Sequence, residues 1–253
     1  MKKSICLLLF SLFVLGTGIF LFRFCQWQRS QKTMAEIYEP VYELIENKTT
    51  PSTPASTPSP PSPKQIRQVA DRYTHVVGWL EIPGLFRYPV VQSNDNTFFL
   101  THDFQGRASS CGSIYMDFQN SRAPLDQNTV LYGHNMGRAS RLMFSQLIRY
   151  KSPSFLRSHP GLTFDTASQA YGTWTIFAVC HLPANEISAF FTKEFVSPSA
   201  FSSFVQNAQR ASLYDPGIQV PENSRLLTLV TCDRSQFGKD GRLLILAFCP
   251  AQL

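Results

Sequence analysis

With 253 residues, 43% hydrophobic and 13% aromatic, the chain can bury one sizeable core, and outside its N-terminus it is too short for two comfortable enzyme domains. Its formal charge of +6 comes from scattered Lys and Arg, with Lys2-Lys3 as a small group beside an apolar run. That pattern reads as solvated surface and attraction to an anionic envelope, and no nucleic-acid partner is expected.

Ser4 to Phe22 is an uncharged stretch, with Lys2-Lys3 before it and Arg23, Arg29 and Lys32 after it. Its length predicts a single membrane span. It ends in Phe20-Leu21-Phe22-Arg23-Phe24 rather than a small-x-small exit, so residues 1–25 read as an uncleaved signal anchor. Positive charges on both sides leave the positive-inside rule nearly balanced. Residues 26–64 follow as a juxtamembrane helix and a linker. Met34, Ile37, Val41 and Leu44 recur at helical spacing broken by Pro40, predicting a short kinked helix from Met34 to Asn47. Lys48 to Lys64 repeats Thr-Pro and Ser-Pro steps without a large apolar residue, a composition that stays extended.

Residues 65–253 form the predicted folded domain. Gln65 to Val77 reads as a helix packed on it, and Gly78 onward as strands. Short apolar runs bounded by Gly, Pro, Asn and Asp recur at 90–91, 113–116, 129–132, 173–179, 226–230 and 243–248. They predict a mainly β fold with accessory helices, closed or nearly closed into a barrel. Two helices interrupt it: one through Leu142, Phe144, Leu147 and Ile148, and one from Ser197 to Ala211 behind a Ser-Pro start.

The chemistry gathers at Thr228-Leu229-Val230-Thr231-Cys232, with Arg242 ten positions on and His134 in Tyr132-Gly133-His134-Asn135. Cys232 ends one apolar run and Arg242 opens the next, so adjacent strands would bring both to one sheet edge. A thiolate forms a covalent acyl intermediate and is later displaced. An imidazole carries the proton to one amine and from another, and a guanidinium stabilises the oxyanion, with the backbone amide beside the nucleophile as an assisting donor. Each residue also has a bland reading. A lone cysteine at a strand end is more often a small core residue, and a Gly-His-Asn turn can serve only the backbone. His102 is the nearest rival histidine and reads as structural; Arg234 rivals Arg242 but falls in the loop. Asp233 receives no catalytic role. Cys111, Cys180 and Cys249 form no Cys-x-x-Cys pair, and the carboxylates are dispersed, so neither a metal nor a cofactor is expected.

These motifs resemble the sortases, membrane-anchored cysteine transpeptidases of Gram-positive bacteria marked by a Thr-Leu-x-Thr-Cys strand end with a downstream Arg and an upstream His. The segments Gly78-Trp79-Leu80-Glu81-Ile82-Pro83-Gly84, Tyr88-Pro89-Val90-Val91-Gln92, Phe99-Leu100-Thr101-His102-Asp103-Phe104 and Gly112-Ser113-Ile114-Tyr115-Met116-Asp117 are similar to class B in order and spacing, over roughly residues 65 to 248. The resemblance implies a sortase-like barrel with an added helix between late strands, a cytoplasmic N-terminus and an extracellular catalytic domain. It implies catalysis by His134, Cys232 and Arg242, with Leu229, Val230 and Thr231 against the substrate. Val230 stands where many class B relatives have Ser, and Val donates no hydrogen bond. The implied partners are surface proteins or pilins bearing a sorting signal, cleaved after Thr, and an amine of a peptidoglycan precursor or of a pilin. A hydrolytic cysteine peptidase and a non-catalytic binding module are the rival classes.

Overall fold

The computed structural model describes residues 2–46 and 60–251, with side chains only in part along its first helix. The chain divides into two compact units, Met1–Glu46 and Asn47–Leu253.

The first unit is one helix, α1 (Lys2–Glu46), with Pro40 inside it. The expected anchor and the short helix from Met34 are therefore a single continuous element. The membrane localisation expected from Ser4 to Phe22 is corrected: among the described residues no helix is long and apolar enough to cross a membrane. The single-pass anchor, the membrane as partner and the extracellular placement built on it lose their support.

Asn47, the expected end of the juxtamembrane helix, and most of the expected linker, residues 48–59, lie outside the described residues. The linker's last residues start α2 (Pro63–Arg72) instead of staying extended, because Ser62 and Gln65 form a reciprocal capping box and Pro63 occupies the first turn. Ile66 and Val69 give this helix its buried face.

Eight strands close a barrel in the order β1-β2-β3-β4-β7-β8-β6-β5. They are β1 (Val76–Ile82), β2 (Phe86–Val91), β3 (Ile114–Met116), β4 (Asn128–Tyr132), β5 (Gly161–Thr166), β6 (Thr173–Pro183), β7 (Arg225–Cys232) and β8 (Gly241–Cys249). Closure comes from β1, which pairs with β2 on one side and β5 on the other, so the sheet leaves no free edge. Two pairings are parallel, β2 with β3 and β4 with β7, and the rest are antiparallel. The helix expected around Leu142 to Ile148 is instead a 3-10 helix, Phe144–Lys151. Its buried apolar residues Phe144, Leu147 and Tyr150 recur every third position, which is the 3-10 period. After the short α3 (Pro153–Ser158), the main accessory helix is α4 (Pro198–Ala211), capped by Ser197, and α5 (Arg234–Phe237) follows β7.

The core lies in two layers. Phe201, Phe204, Val205 and Ala208 of α4 pack with Leu226 and Val230 of β7 and with Leu244, Leu246 and Phe248 of β8 outside the barrel wall. The alternate residues Leu227, Leu229, Leu243 and Ile245 are also fully buried and take the opposite face, filling the interior. Polar Asn128, at the start of β4, has no exposed surface. Its Nδ2 donates to the carbonyls of Phe190 (3.1 Å) and Thr192 (3.0 Å), and its Oδ1 accepts from Thr228 Oγ1 at 3.1 Å. Asn128→Leu would strand these three partners, and an unsatisfied buried polar group costs about 1–3 kcal/mol. We expect a loss of about 3 kcal/mol, read as a lower urea midpoint at constant slope; an unchanged midpoint would show that the network does not hold β4 to β7.

Candidate active site

Antiparallel pairing of β7 with β8 ends at Cys232 opposite Arg242, placing both side chains on the same face. Parallel pairing of β4 with β7 runs from Asn128 beside Leu226 to Tyr132 beside Val230, a constant separation of 98 residues. Carried two residues further, that register sets His134 beside Cys232. The bonds that continue past the strand end agree: Gly133 N donates to Val230 O (3.2 Å), and Asn135 Nδ2 donates to Cys232 O (2.8 Å). His134, from far upstream, thus arrives with Cys232 and Arg242 at one end of three neighbouring strands.

His134 is half-buried, and its Nε2 lies 2.8 Å from the carbonyl oxygen of Leu100. A carbonyl only accepts, so Nε2 carries the proton, and in the neutral ring Nδ1 is left as the base. Leu100 belongs to the segment Phe99 to Phe104 that carries part of the family resemblance, and the sequence gives it no role at the site. A backbone oxygen leaves no sequence signal, which is why its part was missed. The rival His102 is occupied in its own turn, stacked on Phe98 at 4.1 Å with Nδ1 2.8 Å from the Phe98 carbonyl.

Cys232 is half-buried and opens, with His134, onto a cleft of about 1250 Å³, larger than typical small-molecule pockets and suited to an extended chain. The other thiols of the second unit are buried. Burial pushes the Cys180 thiol up to about 12 and raises Cys111 and Cys249 as well, which keeps all three protonated. Arg242 Nη1 donates to the carbonyls of Lys239 and Gly241, both at 3.0 Å. Its Nε and Nη2 have no protein partner among the described residues. Arg234 lines the cleft and Arg242 does not, although Arg242 is the direct cross-strand neighbour of Cys232. Of the three residues expected against substrate, only Val230 shares the face of Cys232, and it packs in the layer beneath α4. Leu229 and Thr231 point to the opposite face; both are buried, and Thr231 Oγ1 donates to Gly133 O at 2.7 Å.

Asp233, which the sequence left without a role, clamps the turn after the nucleophile. Its backbone N donates to Gly241 O (3.0 Å), so the amide beside Cys232 is already engaged and the expected assisting donor is not free. Its carboxylate takes Lys151 Nζ at 2.7 Å and lies 3.4 Å from His181 Nε2. The turn admits no side chain at Gly241, where a Cβ would sit 1.9 Å from Asp233 O. Burial alone would raise the Asp233 carboxyl, but bonds from Lys151 and Ser235 and the charge of His181 outweigh it and hold it below its ordinary value.

No family model matches the chain. It is 32% identical over 182 residues to sortase B of Listeria monocytogenes serovar 1/2a, covering 72% of each chain. It is 29% identical over 173 residues to sortase B of Staphylococcus aureus, covering 68% of this chain and 69% of that one. Among solved structures, the crystal structure of sortase B from B. anthracis in complex with AAEK1 superposes with a TM-score of 0.71 at 26% identity, over 88% of this chain and 99% of that one.

Because the folded value of Asp233 is depressed, its contribution is present above the ordinary carboxylate range and lost as pH falls through the lowered value. Asp233→Asn is therefore expected to cost about 2 kcal/mol at neutral pH, with the gap to wild type closing below about pH 4 in urea titrations. A gap independent of pH would contradict an ionic clamp.

Proposed function

The chain belongs to the sortase B family and is a cysteine transpeptidase of that type, and from that premise we propose that it cleaves a C-terminal sorting signal after Thr and passes the acyl group to an amine of a peptidoglycan precursor. The convergence of His134, Cys232 and Arg242 at one end of β4, β7 and β8 carries this reading. The Cys232 thiolate attacks the threonine carbonyl, forming a C–S bond, and the oxyanion faces the unpartnered edge of Arg242. With the Asp233 amide engaged by Gly241, the guanidinium is the main anion stabiliser on this strand end. The C–N bond breaks as His134 protonates the leaving amine, leaving a thioester. The acceptor amine then attacks, His134 takes its proton, and the thiolate departs. The Leu100 carbonyl holds the ring in one orientation through both proton transfers. A pilin lysine in place of the wall precursor would use the same steps with a different acceptor.

The test incubates the full chain with fluorogenic peptides carrying Asn-Pro-x-Thr and Leu-Pro-x-Thr signals, with and without an amine, and identifies products by mass spectrometry. Cleavage with an amine-ligated product is expected, absent in Cys232→Ala and reduced about 10²–10³-fold in kcat/KM in Arg242→Ala. Cleavage to the acid alone, whatever amine is present, would identify a hydrolytic peptidase instead. A folded chain that forms no thioester with any peptide would refute the enzyme reading.

A further inference from the structure

The cleft at Cys232 and His134 is strongly cationic on one flank. Arg138, Arg141, Arg149, Lys151 and Arg234 line it, and Asp233 is its single carboxylate. Lys151 alone is neutralised, by Asp233 at 2.7 Å. Arg149 bonds only the neutral Gln146 Oε1 at 3.3 Å, and its guanidinium lies over the Phe155 ring at 4.2 Å. Arg138, Arg141 and Arg234 are exposed and have no acidic partner among the described residues. No residue of α4 lines the flank, nor does Val230.

Guanidinium groups gathered without counter-charges repel one another, and an anion bound among them relieves that repulsion while gaining bidentate hydrogen bonds. The reaction offers two molecules to fill the space. The donor's reacting centre is a neutral peptide carbonyl whose single oxyanion is transient and faces Arg242. The acceptor must arrive as an amine, and a bare amine gains nothing from this flank because its protonated form is repelled. An amine attached to anionic groups is drawn in, while the same positive potential favours the neutral, nucleophilic form of the nitrogen. We infer that the flank formed by Arg138, Arg141, Arg149 and Arg234 is the acceptor subsite, and that the amine delivered to Cys232 is carried on a molecule bearing phosphate or carboxylate groups. This rests on the transpeptidase reading above. In the step it serves, the amine nitrogen forms a C–N bond to the thioester carbonyl, the C–S bond breaks, and the amine's proton passes to His134.

The test compares three acceptors on the full chain with one donor peptide: triglycinamide, triglycine extended by two aspartates, and triglycine extended by two phosphoserines. Both anionic acceptors are expected to show a KM about tenfold below that of triglycinamide at low salt, from a few partly screened charge contacts. That ratio is expected to fall towards one in the variant Arg138→Gln/Arg141→Gln/Arg234→Gln and in raised salt. The better of the two anions distinguishes a phosphate from a carboxylate source. A ratio of one in the wild type, or a preference that survives the triple substitution, would overturn the assignment. A separate measurement follows fluorescent versions of the same peptides binding to the full-length Cys232→Ala chain by anisotropy. Anionic peptides binding more tightly there, with the advantage lost in the arginine variant, supports the subsite even if no acceptor is ligated, in which case the transpeptidase reading alone fails. Equal binding of neutral and anionic peptides rejects the subsite.

Discussion

Side by side, β4 and β7 run parallel at a constant separation of 98 residues. Asn128 with Thr228 locks one end of the pair, and Asn135 Nδ2 on the Cys232 carbonyl locks the other. Side chains alternate along a strand, so a slip of one residue would turn His134 or Cys232 to the opposite face and separate the imidazole from the thiol. The antiparallel ladder with β8 adds Arg242 in the same way. The barrel is closed, and the pairings around it constrain one another, so the catalytic geometry depends on global register more than on any local contact.

Around that register the protein divides its electrostatics. Asp233 spends its carboxylate and its amide on the turn, through Lys151 and Gly241, and so fixes the backbone just past the nucleophile. Arg242 spends only Nη1 on backbone carbonyls, and the cleft residues Arg138, Arg141 and Arg234 have no acidic partner among the described residues. Burial keeps Cys111, Cys180 and Cys249 protonated, so reactivity in this unit concentrates at Cys232.

The β7–β8 hairpin was legible because two apolar runs flank a polar loop, and the barrel because many short runs are punctuated by turn residues. The placement of His134 was not legible from pattern alone, since parallel pairing across 98 residues leaves no local mark and only the family resemblance pointed to it. The Leu100 carbonyl and the engaged Asp233 amide are backbone groups, invisible to any motif. The buried spacing of Phe144, Leu147 and Tyr150 fits a 3-10 helix, but neighbouring Leu142 and Ile148 made it read as an α-helix. At the N-terminus, the uncharged run predicts a membrane span on length alone, whereas no helix among the described residues is long and apolar enough to cross a membrane. The resemblance sets Leu229 and Thr231 with Val230 against the substrate, and strand alternation separates them.

The central claim is that register delivers His134 to Cys232, and the rate of Cys232 alkylation measures it most directly. The full chain and its His134→Ala variant would be treated with limiting iodoacetamide and each thiol followed by peptide mapping. Cys232 is expected to react well before Cys111, Cys180 and Cys249, and to slow about tenfold or more when His134 is removed. Equal Cys232 rates in the two proteins, or labelling of the three buried thiols at the pace of Cys232, would contradict the arrangement.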